Sequence, residues 1–477
     1  MSVSRAGKTG GTAGGSAGGA TGTAACRWPW LPFVDLALAM ALVPGFLLGA
    51  LTAAAPVLPV DTGAWYAAAR QAHGHAQLMG WGGAMILGVG LNFLPRFRGA
   101  GLPPPGRVRL LFAAFAAGLS LRVLAQPLAA LAVPGGGPRG AGPWPALLRG
   151  ATAAGALLEA AAVAGLVALL VTTLRQGPPL ARKRAFAEML PFLAAAAGGL
   201  LLAVGAWAWG SIGMEGPGGI LVRARWDLLA VHAAVLVLVP AISVGMSVRL
   251  FPLYLRLEPA RPGWARASAL FFLAALAALV LSVPLGGGTW FYGAGAACSG
   301  AGLLAGCAAV RVFERRRAFP GDQGRYRAWA DPVAVGAVTA YGWGVLGALG
   351  ALLYALDRWP AARSPWPRVG FDLVVHLLGA GFMTLLIIGV GAVLLPGFGG
   401  GKPGSRALLW TAVLLANAAA ALRVVPGLMS AAAGSAPPWT LPVTAWAGVL
   451  GVAAAGVFTL YLRSSWPRPT GRVLTSP

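Results

Sequence analysis

Apolar and polar positions fall along this chain in blocks: long apolar runs are separated by short connections that hold most of the Arg, Lys and Pro residues. The runs lie near 32–54, 72–95, 107–132, 147–173, 187–209, 229–254, 265–285, 290–312, 333–356, 371–396, 406–430 and 440–462. Most reach the roughly 17–25 residues that a helix needs to cross a bilayer. The pattern predicts an all-α integral membrane protein of about twelve transmembrane helices. The faintest of the twelve is 290–312, which is rich in Gly and Ala.

A second pattern overlies the first. His75 is followed by Gly88 and Pro95, His232 by Gly245 and Pro252, and His376 by Gly389 and Pro396, each time at offsets of 13 and 20 residues. Arg122 and Arg423 each lie 47 residues after their histidine, whereas the middle copy has Leu279 there. The histidines fall on spans 2, 6 and 10, so the reading is three pseudo-repeats of four helices with the middle one diverged. On a regular helix, offsets of 13 and 20 residues turn by about 220° and 200°. The repeated glycines and prolines then face away from the histidines and serve packing and helix termination.

Composition places these helices in lipid. Charged residues are 10% of the chain, against about 25% in soluble domains, and mean hydropathy is +0.74. The 71 glycines and 37 prolines suit membrane helices, in which both types are frequent. A net charge of +24 invites a nucleic-acid reading. The arginines, however, are scattered through short connections rather than gathered in one patch, which fits membrane topology better than a nucleic-acid surface. With the N-terminus cytoplasmic, 26 of the 36 Lys and Arg residues fall on the cytoplasmic side, eight on the other, and two inside spans. The expected placement is a bacterial-type cytoplasmic (inner) membrane with both termini inside. Residues 1–30, which include Arg5, Lys8 and Arg27, read as a disordered basic tail. Residues 31–464 read as the membrane domain and 465–477 as a cytoplasmic tail. Cys26, Cys298 and Cys307 show no metal or disulfide spacing.

The candidate chemistry is carried by histidines, of which the whole chain has four. Spans 2, 6 and 10 run in one direction, so His75, His232 and His376 share one depth. Three neutral imidazoles at one level can bind haem iron or copper. Alternatively each is an interfacial polar residue bonded to a neighbouring helix. His73 and His75 are two apart, about 200° around a helix, so one metal cannot take both from regular helix. His75 keeps the repeat register and is the better inward candidate, while His73 is a ligand only if the helix begins after it or if it serves a second centre. Arg122 and Arg423 are costly in lipid. They either pair with haem propionates or an anion, or form ion pairs with Glu159 or Asp35. Asp227 and Asp372 either cap their helices or, for Asp372, orient His376. Arg223, Arg225 and Arg368 precede the histidine spans at propionate level or serve as interfacial arginines. Glu159, Asp35, Asn417 and Gln77 are too sparse to define a proton path. No CxxCH attachment site is present, so any haem is non-covalent.

The stretch His73-Gly74-His75-Ala76-Gln77-Leu78-Met79-Gly80-Trp81, closing at Pro95-Arg96-Phe97-Arg98-Gly99, resembles the NnrS family of haem- and copper-containing membrane proteins. His73, His75, Leu78, Gly80, Trp81, Pro95, Phe97 and Gly99 fit that family's pattern, and Ala76-Gln77 stands where it commonly has Glu-Met. The resemblance implies a b-type haem, a possible copper, a small gas ligand such as nitric oxide or oxygen, and an electron donor. It also implies a role in nitric-oxide or nitrosative-stress metabolism or in respiratory electron metabolism. The twelve-span outline is similar, too, to the catalytic subunit of haem–copper oxidases. That likeness implies His75 and His376 as axial haem ligands and His232 as a ligand of copper or of a second haem. Span 7 (265–285) has no histidine, so no complete oxygen-reducing centre is implied. A repeat-built transporter is the reading from a different class.

Overall fold

Twelve helices long and apolar enough to cross a membrane make up most of the described chain. They are α1 (Leu31–Val57), α2 (Gly63–Arg98), α3 (Pro105–Leu131), α4 (Pro143–Arg175), α5 (Arg184–Ile212) and α6 (Ala224–Tyr254). The second half holds α7 (Pro262–Leu281), α8 (Thr289–Val310), α9 (Pro332–Asp357), α10 (Phe371–Phe398), α11 (Arg406–Ala433) and α12 (Thr440–Ser465). The computed structural model describes residues 29–58, 62–132, 143–286, 288–317, 327–358, 369–435 and 437–466. The basic tail expected over 1–30 lies outside them apart from its last two residues, and the tail expected over 465–477 apart from its first two. Cys26 and Arg368 lie outside the described residues altogether. No strand forms among the described residues, in keeping with a chain whose backbone groups must be satisfied within each span.

Helices α2, α6 and α10 are the interior of the molecule. In an apolar 18-residue stretch of each, 78, 78 and 72% of the residues are buried, against 28–67% for the others. Apolar residues surround them on every side, as expected of helices enclosed by protein. Around them the same pairs touch within α1–α4, α5–α8 and α9–α12: neighbours in sequence, first with third, and second with fourth. Contacts of α4 with α5, α8 with α9, and α12 with α1 join these runs into a closed ring. An Arg463–Asp35 ion pair (2.8 Å) adds to the α12–α1 closure.

The repeated glycines are contact points. A Cβ on Gly88 would stand 2.7 Å from Phe33 Cβ on α1, and one on Gly245 2.6 Å from Phe192 Cβ on α5. Gly389 faces Val333, Gly336 and Ala337 of α9 at 3.6–3.8 Å. Pro95, Pro252 and Pro396 each sit within the last few residues of their helix. Packing and termination are thus the roles that these residues play.

Regular α-helix does not persist through the histidine spans. A π-helical segment begins immediately after each repeated histidine: Ala76–Gly83 after His75, Ala233–Leu238 after His232, and Leu377–Met383 after His376. Wider turns advance fewer degrees per residue, so the rotation computed for an unbroken 3.6-residue helix does not carry across them. A fourth π segment, Ala41–Leu47 in α1, contains Pro44, which has no N–H to give the ladder.

Candidate cofactor site

The two histidines of the first motif face different neighbours. His73 turns towards α1, where its Nδ1 lies 2.8 Å from the Gly45 carbonyl oxygen. A carbonyl only accepts, so Nδ1 carries the proton and Nε2 keeps its lone pair. Room for the ring comes from Gly49, where a Cβ would stand 2.5 Å from His73 Cε1.

His376 on α10 is built alike. Its Nδ1 donates to the Asp372 carbonyl oxygen at 2.7 Å, again leaving a bare Nε2. The Asp372 carboxylate lies 3.6 Å from the same Nδ1. That carboxylate is held by Arg423 of α11 at 2.6 Å and approached by Arg70 of α2 at 3.9 Å. His73 and His376 lie within electrostatic reach of each other, and Arg423 and Asp372 are neighbours of both. Both rings are half-buried. Beside them, a Cβ on Gly74 or on Gly379 would meet nothing within 4 Å, so the backbone next to each histidine borders open space.

His75 sits elsewhere, fully enclosed, with its Nε2 2.7 Å from Glu159 Oε2 of α4 and its ring edge-on to Trp207 of α5. His232 occupies a third setting. Its Nδ1 donates to the Leu228 carbonyl (2.8 Å), its Nε2 accepts from the Tyr354 hydroxyl (3.2 Å), and its ring stacks on Phe371 at 3.6 Å. The three repeated histidines therefore have different partners, each where one four-helix run meets the next. Among the described residues no three His, Cys, Asp or Glu groups converge as a metal site. The donors present fit a haem held by His73 and His376, as two imidazoles whose Nε2 lone pairs are free, with open space beside the backbone at Gly74 and Gly379. They do not fit a copper at His232, whose only free nitrogen is already paired.

The family model described as NnrS protein matches residues 31–465. The chain belongs to the NnrS family. No curated protein matches it. In this NnrS chain the motif His73-x-His75 divides its labour, one imidazole bonded to α1 within electrostatic reach of His376 and the other locked to a carboxylate.

The remaining polar residues of this NnrS chain sort accordingly. Arg423 belongs to the His73–His376 site through Asp372. Arg122 belongs with His75, stacked 5.3 Å from the centre of the Trp207 ring. Neither forms an ion pair with Glu159 or Asp35, since Glu159 bonds His75 and Asp35 bonds Arg463. No capping bond comes from Asp227 or Asp372. Asp227 instead accepts from Trp207 Nε1 (2.9 Å) and Gln71 Nε2 (3.3 Å). Arg223 bonds the Gly213 carbonyl and Arg225 that of Val283. Arg70, Tyr354 and Phe371 escaped the sequence reading. Arg70 lies three residues before His73, and that spacing on a helix was the one signal available for it.

Proposed function

We propose that this NnrS-family protein is a haem-binding electron carrier of the bacterial cytoplasmic membrane, with His73 and His376 as the axial ligands. The observation that carries this reading is the matched pair of imidazoles. On two interior helices, each Nδ1 is committed to a carbonyl, each Nε2 keeps its lone pair, and the backbone at Gly74 and Gly379 borders open space. Such second-shell bonds fix the tautomer and ring orientation that a metal-ligating histidine needs. Bound there, a b-type haem would supply one-electron transfer.

The chain's own residues account for the rest. The Asp372 carboxylate beside His376 Nδ1 makes that imidazole a stronger donor, and Arg423 keeps the carboxylate in place. Arg70 supplies a further positive charge at the same level, where propionate groups need cations. By its family, the protein would serve nitric-oxide or nitrosative-stress metabolism, exchanging electrons with a donor. A small gas, nitric oxide or oxygen, would have to compete with an imidazole for the metal. Twelve apolar helices fit a multi-pass membrane protein. The charge bias puts both termini on the cytoplasmic side, and three four-helix units form the scaffold. The π segments at matching positions give the transporter reading its one foothold, but they remain helical and buried, whereas transporter sites use discontinuous helices.

The test is the optical spectrum and iron content of the purified protein after expression with haem supply. The expected result is stoichiometric iron, a Soret band, and sharp α and β bands on reduction with dithionite, all lost in His376→Ala. A folded wild-type protein without iron or a Soret band would overturn the proposal.

A further inference from the structure

Arg122 lies on α3 with a relative exposure of 0%, and none of its three guanidinium nitrogens has a hydrogen-bond partner. Three further buried polar atoms are unpartnered close by: His75 Nδ1, Glu159 Oε1 and Gln126 Oε1. They belong together in space. Trp207 touches both Arg122 and His75, Glu159 bonds His75, and Arg122 lies within electrostatic reach of Glu159 and Asp227. Unsatisfied donors and acceptors in a low-dielectric interior are strongly unfavourable, so a small polar occupant is required.

Charge and hydrogen-bond inventory select that occupant. Two carboxylates, Glu159 and Asp227, stand near the Arg122 guanidinium, and Arg70 also reaches Asp227, so the cations are already matched by carboxylates and an added anion is disfavoured. The guanidinium disfavours a metal cation. Arg122 offers N–H donors only, whereas Glu159 Oε1 and Gln126 Oε1 offer acceptors. The occupant must therefore both donate and accept while carrying no charge. Water does so and needs two to four polar partners, which this set provides.

A polar column leads to the cluster from one end of the bundle. The α5–α6 connection is pinned over it, with Val222 N bonding Gln71 Oε1 (3.0 Å) and Gln126 Nε2 bonding the Ile220 carbonyl (3.1 Å). Gln126 also bonds Gln71 (2.6 Å), and Gln71 bonds Asp227. Gln71 and Asp227 are half-buried, whereas Arg122, Glu159 and His75 are sealed. Gln126 stands one turn beyond Arg122, and Gln71 one turn before His75. Tight α3–α4 contact closes the far side, since a Cβ on Gly118 would stand 2.6 Å from Glu159 N.

We propose that Arg122, Glu159, His75, Gln126 and Trp207 bound a buried water-binding chamber, filled from the α5–α6 end of the bundle by way of Gln71 and Asp227. The chamber is a site distinct from His73–His376 and does not depend on a haem there. Radiolytic hydroxyl-radical labelling of the full-length protein in nanodiscs tests it, because radicals formed from bound water oxidise the side chains beside that water. Trp207 and Trp81 are almost equally buried, but the polar group beside Trp81 is the Thr384 hydroxyl, which its Nε1 bonds at 3.4 Å, and neither Trp81 nor Thr384 has an unpartnered buried side-chain atom. The expected result is several-fold faster oxidation of Trp207 than of Trp81, reduced to the Trp81 level in Arg122→Leu/Glu159→Leu. Should that variant not fold, brief mixing of wild type with H2(18)O before exposure replaces it, and Trp207 is expected to take up the heavy oxygen. Oxidation of Trp207 no faster than that of Trp81 would overturn the chamber, and failure of the heavy oxygen to reach Trp207 would overturn the route.

Discussion

At the scale of single residues, the motif histidines show how a partner far away in sequence decides a role. His75 keeps the register of the repeat, yet its Nε2 is 2.7 Å from a carboxylate 84 residues further on. No spacing rule could announce that pairing. Nor could it announce Gly45 and Gly49, which receive the His73 ring. That two histidines two apart cannot serve one metal was readable from helix geometry alone, and the structure shows them facing different neighbours. Glu159→Ala should strip a buried imidazole of its partner and cost about 1–3 kcal/mol, measured by thermal unfolding in detergent, with Glu159→Gln costing less. Gly49→Leu should displace His73 and lower haem occupancy while His75 keeps its partner, read as Soret absorbance per protein. Asp372→Asn removes negative charge beside His376 Nδ1. The haem midpoint potential should therefore rise, as redox titration followed at the α band would show.

At the scale of elements, all twelve spans were legible because a bilayer demands long apolar runs and this chain has few charges outside its connections. The faint run at 290–312 is a helix, Thr289–Val310, and its Gly and Ala content reflects close packing rather than weakness, since 67% of its window is buried. The π segments were not legible. Hydrophobic periodicity discriminates poorly between turns of slightly different width when every position is apolar. Small residues set the closest approaches. A Cβ on Gly155 would stand 2.7 Å from Gly118 O and 2.8 Å from Arg122 N, both backbone atoms that cannot yield without moving a helix. Gly155→Leu should therefore destabilise by about 1–3 kcal/mol or more. On the same helix Gly150→Leu, whose Cβ would meet nothing within 4 Å, should be near neutral in the same melting assay.

At the scale of the whole molecule, the period-four pattern of histidines, glycines and prolines corresponds to packing pairs that recur at the same period. The sequence could not place the histidines around the ring, because azimuth depends on which helices become neighbours and not on position along a span. Each histidine consequently met different chemistry: a carboxylate for His75, a tyrosine and a phenylalanine for His232, and a second imidazole within reach for His376. Orientation remains a matter of charge. Reporter fusions at the 180–184 and 315–317 connections should be active on the cytoplasmic side, and fusions within 216–219 on the other, following the Lys and Arg bias.

The central claim is that the first histidine of the motif, not the second, faces the haem. The most direct measurement is the reduced-minus-oxidised spectrum of His73→Ala and His75→Ala, purified side by side with wild type at matched protein concentration. The account predicts that His73→Ala loses the low-spin α and β bands or shows a high-spin spectrum, while His75→Ala keeps them with reduced thermal stability. A low-spin spectrum intact in His73→Ala and abolished in a folded His75→Ala would contradict it.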